Sequence, residues 1–385
     1  MGHRSVILTL AAVSLAVAAG ACGGKERDGA VGGASAAGKL EVSTAGWKTD
    51  FSKHTVPLSE FQSGGPGRDA IPPIDGPKTV SPEQAEPFLD DREPVLVARQ
   101  RGAVRAYPIQ ILIWHEIVND ELGGRAIAVT YCPLCNSSVV FDRRVGARAL
   151  TFGTTGNLRM SDLVMWDRQT ESWWQQLSGE AVAGELSGKR LEVLPSQTLS
   201  WADFRRSYPH GDVLSRDTGF ERDYGANPYE GYDERDSKPF LFNGKTDDRL
   251  PPKEYVAAVF VDENKPLVVP FSRLVRESAV NAASEGTPLV VLYKRGVVSP
   301  LDAAAISRSK DVGTSAAFDR RVGRRTLELQ AGDGGYVDRQ TGSKWDITGR
   351  AVAGPLEGKR LRPLRHDQQF WFALAAFLPG AEILG

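Results

Sequence analysis

The chain is poor in cysteine and methionine, and its charge is almost balanced. Each of these sulfur-containing residues occurs only three times among 385 residues, and the formal net charge is -1. No long basic run follows the N-terminus, which gives little support for nucleic-acid binding, because such proteins carry a clustered basic face. The sequence also lacks a nucleophile elbow, a phosphate-binding loop, a dinucleotide fingerprint and a His-Glu-x-x-His motif. The common hydrolase, nucleotide-dependent and metalloprotease classes are therefore not indicated.

The N-terminus has the features of a bacterial export signal. A short positive region precedes an apolar stretch over residues 5–21, which ends in small residues directly before Cys22. This order resembles a lipobox, although Ala19 stands where leucine is commoner. We expect residues 1–22 to be a lipoprotein signal peptide and Cys22 to anchor the mature protein to the membrane, in the cell envelope outside the cytoplasm. The alternatives are simple secretion and an uncleaved membrane anchor.

The composition changes after Cys22. Glycine, alanine and serine dominate to about Lys39, and such a segment cannot bury a hydrophobic core. We therefore predict a flexible tether over residues 23–66. The remaining chain is long enough for two folded units, which we place at 67–235 and 236–385.

An internal duplication relates these two units. Four segments of the first unit recur in the same order in the second: 140–146 as 317–323, 167–170 as 338–341, 181–184 as 351–354, and 188–191 as 358–361. Residues that both copies keep are those the fold needs. We therefore predict structural roles for the motifs at 142–144 and 167–170, through ion pairs and side-chain caps of turns.

Short β-branched runs bounded by glycine and proline predict a mainly β fold with some helices. We interpret this α+β chain as two pseudo-symmetric β-rich repeats packed together, of which the second is degenerate. Apolar spacing predicts a short helix within residues 109–120, and residues 126–131 read as a strand that leads into Cys132. An aromatic, turn-rich stretch at 223–232 is predicted to pack across the first repeat.

Residues 132–135 read Cys-Pro-Leu-Cys. If Cys22 is lipidated, Cys132 and Cys135 are the only other cysteines of an exported protein, whose compartment is oxidising. A disulfide that closes so short a loop removes little chain entropy, so the pair is a poor structural staple. The pair is therefore predicted to bind a metal ion or to be redox-active.

Comparison of the copies indicates further metal ligands. Four residues of the first copy align with chemically different residues, namely His115 with Glu277, Cys132 with Lys294, Cys135 with Val297, and Met165 with Tyr336. We predict a mononuclear site with two thiolates, the His115 imidazole and the Met165 thioether. Because thiolates and thioethers are soft ligands, this set favours copper over zinc. A zinc site would more readily use a reserve ligand from among Glu116, Asp162 and His210.

Two other functions stay open on the sequence alone. The pair resembles the Cys-Pro-x-Cys of glutaredoxins, which would make Cys132 the nucleophile and Cys135 the resolving thiol. In that family the first cysteine begins a helix that lowers its pKa, whereas residues 136–142 here read as a strand. Alternatively the cysteines form an inert disulfide in a non-enzymatic scaffold. The sequence does not decide between metal handling, redox chemistry at the metal and no enzymatic activity at all.

Long motifs resemble the bacterial and archaeal family called domain of unknown function 3179. They are Trp-His-Glu-Ile-Val-Asn-Asp at 114–120, Thr-Tyr-Cys-Pro-Leu-Cys at 130–135, and the segments 161–172 and 201–203. The resemblance covers residues 71–232 closely and the second copy weakly. Many members are similar to this chain in carrying export signals and in keeping the histidine and the Cys-x-x-Cys pair. The resemblance implies no activity, so the predicted function depends on the residues named above.

Overall fold

The computed structural model describes residues 38–385, and strands make up most of its regular structure. This confirms the predicted mainly β fold with some helices. Within residues 38–385 every helix is too short to span a lipid bilayer. The α-helices are α1 (Pro82–Ala85), α2 (Ile109–His115), α3 (Trp201–Ser207), α4 (Phe271–Glu277) and α5 (Trp371–Phe377), and 3-10 helices cover Leu58–Glu60, Glu86–Phe88 and Ile306–Arg308.

The first copy builds three five-stranded sheets and one small hairpin. Their strand orders are β1-β11-β12-β13-β14, β15-β8-β7-β6-β2, β16-β4-β5-β17-β3 and β10-β9. The strands are β1 (Phe61–Ser63), β2 (Ile74–Asp75), β3 (Thr79–Val80), β4 (Pro94–Gln100), β5 (Ala103–Pro108), β6 (Ile117–Leu122), β7 (Arg125–Cys132), β8 (Ser137–Asp142), β9 (Arg144–Val145), β10 (Arg148–Ala149), β11 (Phe152–Arg159), β12 (Asp162–Asp167), β13 (Trp173–Gln175), β14 (Glu180–Ala183), β15 (Glu192–Leu194), β16 (Ser196–Ser200) and β17 (Asp212–Leu214).

The second copy repeats this strand order without the three edge strands β1, β2 and β3. Its sheets run β30-β18-β19-β31, β29-β22-β21-β20 and β25-β26-β27-β28, with the hairpin β23-β24. The strands are β18 (Tyr255–Phe260), β19 (Leu267–Pro270), β20 (Ala279–Ser284), β21 (Thr287–Lys294), β22 (Thr314–Asp319), β23 (Arg321–Val322), β24 (Arg325–Thr326), β25 (Leu329–Gly332), β26 (Gly335–Asp338), β27 (Lys344–Trp345), β28 (Ala351–Ala353), β29 (Arg362–Pro363), β30 (Arg365–Phe370) and β31 (Glu382–Ile383).

Residues common to both copies stabilise the fold in the same way. The Asn119 amide exchanges two hydrogen bonds with the backbone at the start of β11, and Asn281 does the same at the start of β25, all at 2.7–3.0 Å. Asp167 accepts hydrogen bonds from a turn N–H three residues on and from an indole seven residues on, and Asp338 does likewise. These contacts agree with the structural role predicted for the shared motifs.

The two copies share hydrophobic core rather than keeping separate interiors. One cluster combines Val97 and Trp201 of the first copy with Val290 and Phe318 of the second. Another combines Phe370, Phe372 and Ala373 with the first-copy cysteines. Residues 38–385 accordingly form one folded unit, and the boundary predicted between residues 235 and 236 does not divide two independent cores.

The segment that precedes the first repeat packs against it. Phe61 is buried, and the Trp47 ring meets Trp166 and Trp173 edge-on, with ring centroids 5.5 and 5.2 Å apart. Strand β1 pairs with β11. The flexible tether predicted to residue 66 is therefore wrong for residues 40–66, because their apolar side chains cover one face of the β12–β14 sheet. Residues 23–37 of the predicted tether, the signal peptide and Cys22 lie outside the described residues.

Helix α2 ends earlier than its apolar spacing predicts. The helix, predicted within residues 109–120, stops at His115, since Glu116 adopts a left-handed conformation with φ of 58°. The Glu116 N–H still donates to Leu112 O at 2.7 Å, and the next residues form β6, which pairs with β7. This sharp change of direction separates the side chains of His115 and Glu116 and so shapes the site described next.

Candidate metal centre

The Cys-x-x-Cys segment forms the tight turn between β7 and β8. Cys132 ends β7 and pairs with Ser137, and Asn136 takes a left-handed conformation with φ of 49° to complete the turn. Both sulfurs lie on the same side of it, where each thiol donates to the Ser161 carbonyl, at 3.7 Å for Cys132 and 3.6 Å for Cys135. The cysteines are buried and are not joined by a disulfide. The predicted position of the pair at a strand end is confirmed.

Asp162 supplies a third ligating group. A carboxylate oxygen of Asp162 and the two sulfurs lie within 4.8 Å of one another, and all three residues are buried. Asp162 Oδ2 accepts hydrogen bonds from the Gln175 amide at 2.5 Å and from Leu177 N–H at 3.0 Å. Asp162 Oδ1 is buried without a hydrogen-bond partner. The Cys132–Cys135–Asp162 cluster, which we call the thiol–carboxylate cluster, therefore has an unsatisfied acceptor.

A cavity of about 410 Å³ adjoins this cluster. Glu116 and Cys132 line it together with the turn at Leu134 and the β11–β12 hairpin. The connecting segment 228–241 supplies the facing wall, and the hydroxyl of its Tyr232 donates to Leu134 O at 3.1 Å. This contact agrees with the predicted packing of the aromatic stretch across the first repeat. The cluster is thus buried on one side and reachable through the cavity on the other.

The pKa values of the acidic groups of the site are all raised. Burial raises the pKa of Cys132 and holds that of Cys135 well above its usual value. Burial also raises the pKa of Asp162 to about 6, although hydrogen bonds from Leu177 and Gln175 oppose the shift. Burial, with the nearby charge of Asp162, raises the pKa of Glu116 to about 8. The causes of these shifts are burial and neighbouring acidic groups, which disfavour the charged form of each group.

His115, the predicted imidazole ligand, lies elsewhere. Its Nδ1 is 2.7 Å from Pro72 O and its Nε2 is 2.6 Å from the Tyr224 hydroxyl, so both ring nitrogens are engaged. Burial lowers its pKa, which keeps the ring neutral. His115 does not belong to the group of ligand atoms around the cysteines, and these contacts indicate a structural role.

The other predicted residues are placed as follows. Met165 is buried in β12 and belongs to the hydrophobic cluster that also contains both cysteines, so its role as a ligand stays a prediction. Of the reserve ligands, Asp162 lies in the cluster and Glu116 lines the cavity. His210 is exposed in a separate open groove beside α3 and does not take part.

The second copy has no equivalent cluster. Lys294 occupies the position of Cys132 and forms an ion pair with Asp203 of the first copy. The hairpin is also shorter, since β25–β26 runs only from Leu329 to Asp338 where β11–β12 runs from Phe152 to Asp167. The end of the hairpin that carries Ser161 and Asp162 is therefore specific to the first copy.

The second copy instead supports the first-copy site. The Phe370 N–H at the end of β30 donates to Cys135 O at 2.9 Å, and Phe372 packs in the same hydrophobic cluster as the cysteines. Three non-glycine residues with left-handed backbone, Asn136, Met160 and Ser161, flank the cluster. Such conformations persist only where the surroundings hold them, so packing around the cluster holds these three residues in place.

Comparison of the copies missed the importance of Asp162. Counting back from Asp167 and Asp338 aligns Asp162 with Asp333, so the aspartate looks like a shared residue. In the structure Asp333 is exposed between β25 and β26, whereas Asp162 is buried. A usable signal was the Gly-rich sequence around residue 334, which allows a tighter hairpin in the second copy.

The fold and the site define a duplicated, β-rich protein with a buried cluster of two thiols and a carboxyl group. The chain belongs to the family described as Protein of unknown function (DUF3179), which it matches over residues 68–381. This finding confirms the family resemblance. No curated protein and no solved structure matches the chain.

Proposed function

We propose that this protein is exported, lipid-anchored at Cys22, and binds a single metal ion through Cys132, Cys135 and Asp162. The observation that supports the proposal is the convergence of two sulfurs and a carboxylate oxygen within 4.8 Å in a buried site. The oxygen Asp162 Oδ1 has no hydrogen-bond partner there. An unsatisfied buried acceptor is costly, and a bound cation would satisfy it.

Charge compensation is the physical reason for preferring a metal. Two thiolates and a carboxylate in a buried site repel one another, and without a cation the pKa values of all three groups are raised. A divalent ion opposes this shift, because metal ligands must be deprotonated and the ion offsets their charge. At the equivalent place in the second copy, Lys294 instead forms an ion pair with Asp203 of the first copy.

The donor set places zinc ahead of copper. Zinc accepts thiolate and carboxylate ligands together, whereas a hard carboxylate oxygen does not suit copper(I). The copper assignment depends on His115 and Met165, and the His115 nitrogens already have other partners. Three protein ligands beside a cavity also match the arrangement of catalytic zinc sites, which keep one position open. We therefore propose a metal-dependent reaction at this position, with metal handling as the alternative.

Glu116 is placed to hold a proton beside the metal position. Its carboxyl lines the same cavity as Cys132, and burial raises its pKa to about 8. A carboxyl group with such a pKa exchanges protons near neutral pH, as a general acid or base must. Glu116 is thus the residue that would accept or donate a proton during a reaction in the cavity.

Thiol–disulfide exchange is less well supported by the geometry. A nucleophilic cysteine needs exposure and a lowered pKa, but Cys132 is 1% exposed and its pKa is raised. The residues after the pair form strand β8 rather than an activating helix. The measurement that decides between the two functions is the metal content of the protein.

The test compares two matched aspartate variants of the full chain. Protein purified without oxygen is analysed for bound metals by mass spectrometry, and we expect about one equivalent of zinc per chain. Asp162→Asn should lose most of the metal, because the amide is a poorer ligand. Asp333→Asn changes the aligned, exposed residue of the second copy and should retain it. Wild-type protein that takes up no metal, or equal metal content in both variants, would contradict the proposal.

A further inference from the structure

We infer that the cavity beside Cys132 binds a small molecule that has an apolar body and one polar group without negative charge. The inference extends the proposed function, since the polar group would face the metal position. At about 410 Å³ the cavity is within the range of roughly 300–1,000 Å³ that small-molecule pockets occupy. It lies between the cysteine turn, the β11–β12 hairpin and the connecting segment 228–241, so parts of the chain distant in sequence enclose it.

Polar and apolar side chains both line the cavity. Glu116 and Cys132 are among the polar residues, and Tyr229 lies near enough for their charges to raise its pKa beyond the effect of burial. The apolar lining includes Leu158 and Leu163. A ligand with one polar group and an apolar body matches this mixed lining, with the polar group toward Cys132 in the inferred complex.

Exposed residues also line the cavity, among them the apolar Phe240, which is 58% exposed, and the acidic Glu230. The Phe240 carbonyl accepts a hydrogen bond from the Ser161 hydroxyl next to the thiol–carboxylate cluster. The segment with Phe240 is therefore tied to the site, and the Phe240 ring offers an exposed apolar contact for the body of a ligand.

The charges around the cavity exclude an anionic ligand. Among the described residues that line the cavity there is no lysine, arginine or histidine, whereas two glutamates, Glu116 and Glu230, do line it. A divalent ion held by two thiolates and a carboxylate keeps a net negative charge, so metal loading does not make the site attractive to anions. Moving an unpaired charge into such a cavity costs far more than moving a hydroxyl group.

Two probes matched in size test the inference. The full chain, loaded with zinc, is titrated calorimetrically with 4-phenylbutanol and 4-phenylbutyrate. We expect the alcohol to bind roughly tenfold or more tightly than the carboxylate. Equal or tighter binding of the carboxylate, or no binding of the alcohol at millimolar concentration, would overturn the inference. Zinc content is measured on the same samples, so a failure of the metal site is recognised separately.

Two variants locate the binding. Leu158→Trp fills the cavity and should abolish binding of the alcohol, whereas Leu356→Trp, a half-buried leucine of the second copy, should leave it unchanged. Tyr229→Phe keeps the side-chain volume but removes a hydroxyl group, and should weaken binding of the alcohol by roughly fivefold. Should Leu158→Trp fail to fold, Tyr229→Phe decides alone. Unchanged affinity in the variants that fold would place the binding elsewhere and refute the inference.

Discussion

Metal affinity of the thiol–carboxylate cluster should rise steeply with pH, because binding displaces protons from its ligands. Below pH 6 the Asp162 carboxyl and both thiols are protonated in the metal-free protein, since the pKa of Asp162 is about 6 and the thiol pKa values are raised. At pH 7 only the two thiol protons remain to be displaced. Each displaced proton contributes a factor of about ten per pH unit, which predicts about 1,000-fold per unit below pH 6 and about 100-fold at pH 7.

Competition against a chromophoric zinc chelator measures this dependence, with the chelator's own protonation corrected for. The logarithm of the association constant is plotted against pH between about pH 5.5 and 8, and its slope counts the protons displaced. A slope near one at pH 7 would mean that at most one thiolate binds, and the two-thiolate site would be refuted. Cys135→Ser should lower the slope at pH 7 by about one.

Glu116 can be examined in the same experiment. The pKa of Glu116 is about 8, so its carboxyl is protonated at pH 7 in the metal-free protein. If Glu116 becomes a fourth ligand, the slope at pH 7 rises to about three, and Glu116→Gln returns it to about two. An equal slope in wild type and Glu116→Gln would leave Glu116 outside the ligand set.

Three further results are expected. The His115→Ala variant should keep the metal but lose about 2 kcal/mol of folding stability, since the change removes two buried hydrogen bonds. Chemical denaturation measures the loss of stability, and a variant without metal would restore His115 as a ligand. Metal-free protein should melt at a lower temperature as the pH rises from 5 to 8. The pKa values of Asp162 and Glu116 are higher in the folded protein than in the unfolded chain, so their contribution to stability is fully present below about pH 4. That contribution is lost progressively as the pH rises to about 8. A melting temperature independent of pH would contradict those pKa shifts. Cys22→Ser should release the protein from membranes in a fractionation experiment, and persistent membrane association would exclude lipidation.

The local pattern of the sequence predicted much of the fold. Strand 126–131, the turn at the cysteine pair and the β-rich class were read from alternating apolar residues and their boundaries, which depend on neighbours in the chain. The duplication predicted the structural role of Asp167, because a residue kept in both copies makes the same local hydrogen bonds twice.

Long-range packing decided the features that local patterns do not contain. The apolar side chains of residues 40–66 find a surface only when the β12–β14 sheet exists, so their sequence reads as a tether. The shared core of the two copies depends likewise on how whole sheets meet. Composition and spacing describe the conformational preferences of a segment by itself. The free energy of these preferences is small compared with that gained by burying a large apolar surface.

The sequence by itself predicted that the two thiols lie together on one turn, because a Cys-Pro-Leu-Cys segment directly after a predicted strand favours a tight turn. Only the tertiary structure decided which residues join them. The left-handed backbone at Glu116 brings this carboxyl to the cavity and leaves His115 bonded to Pro72 and Tyr224. A hairpin that is longer in the first copy carries Asp162 to the sulfurs. The ligand preferences of metal ions favoured His115, but the folded chain brings Asp162 to the sulfurs instead. The direction of the backbone determines which side chains can come into contact.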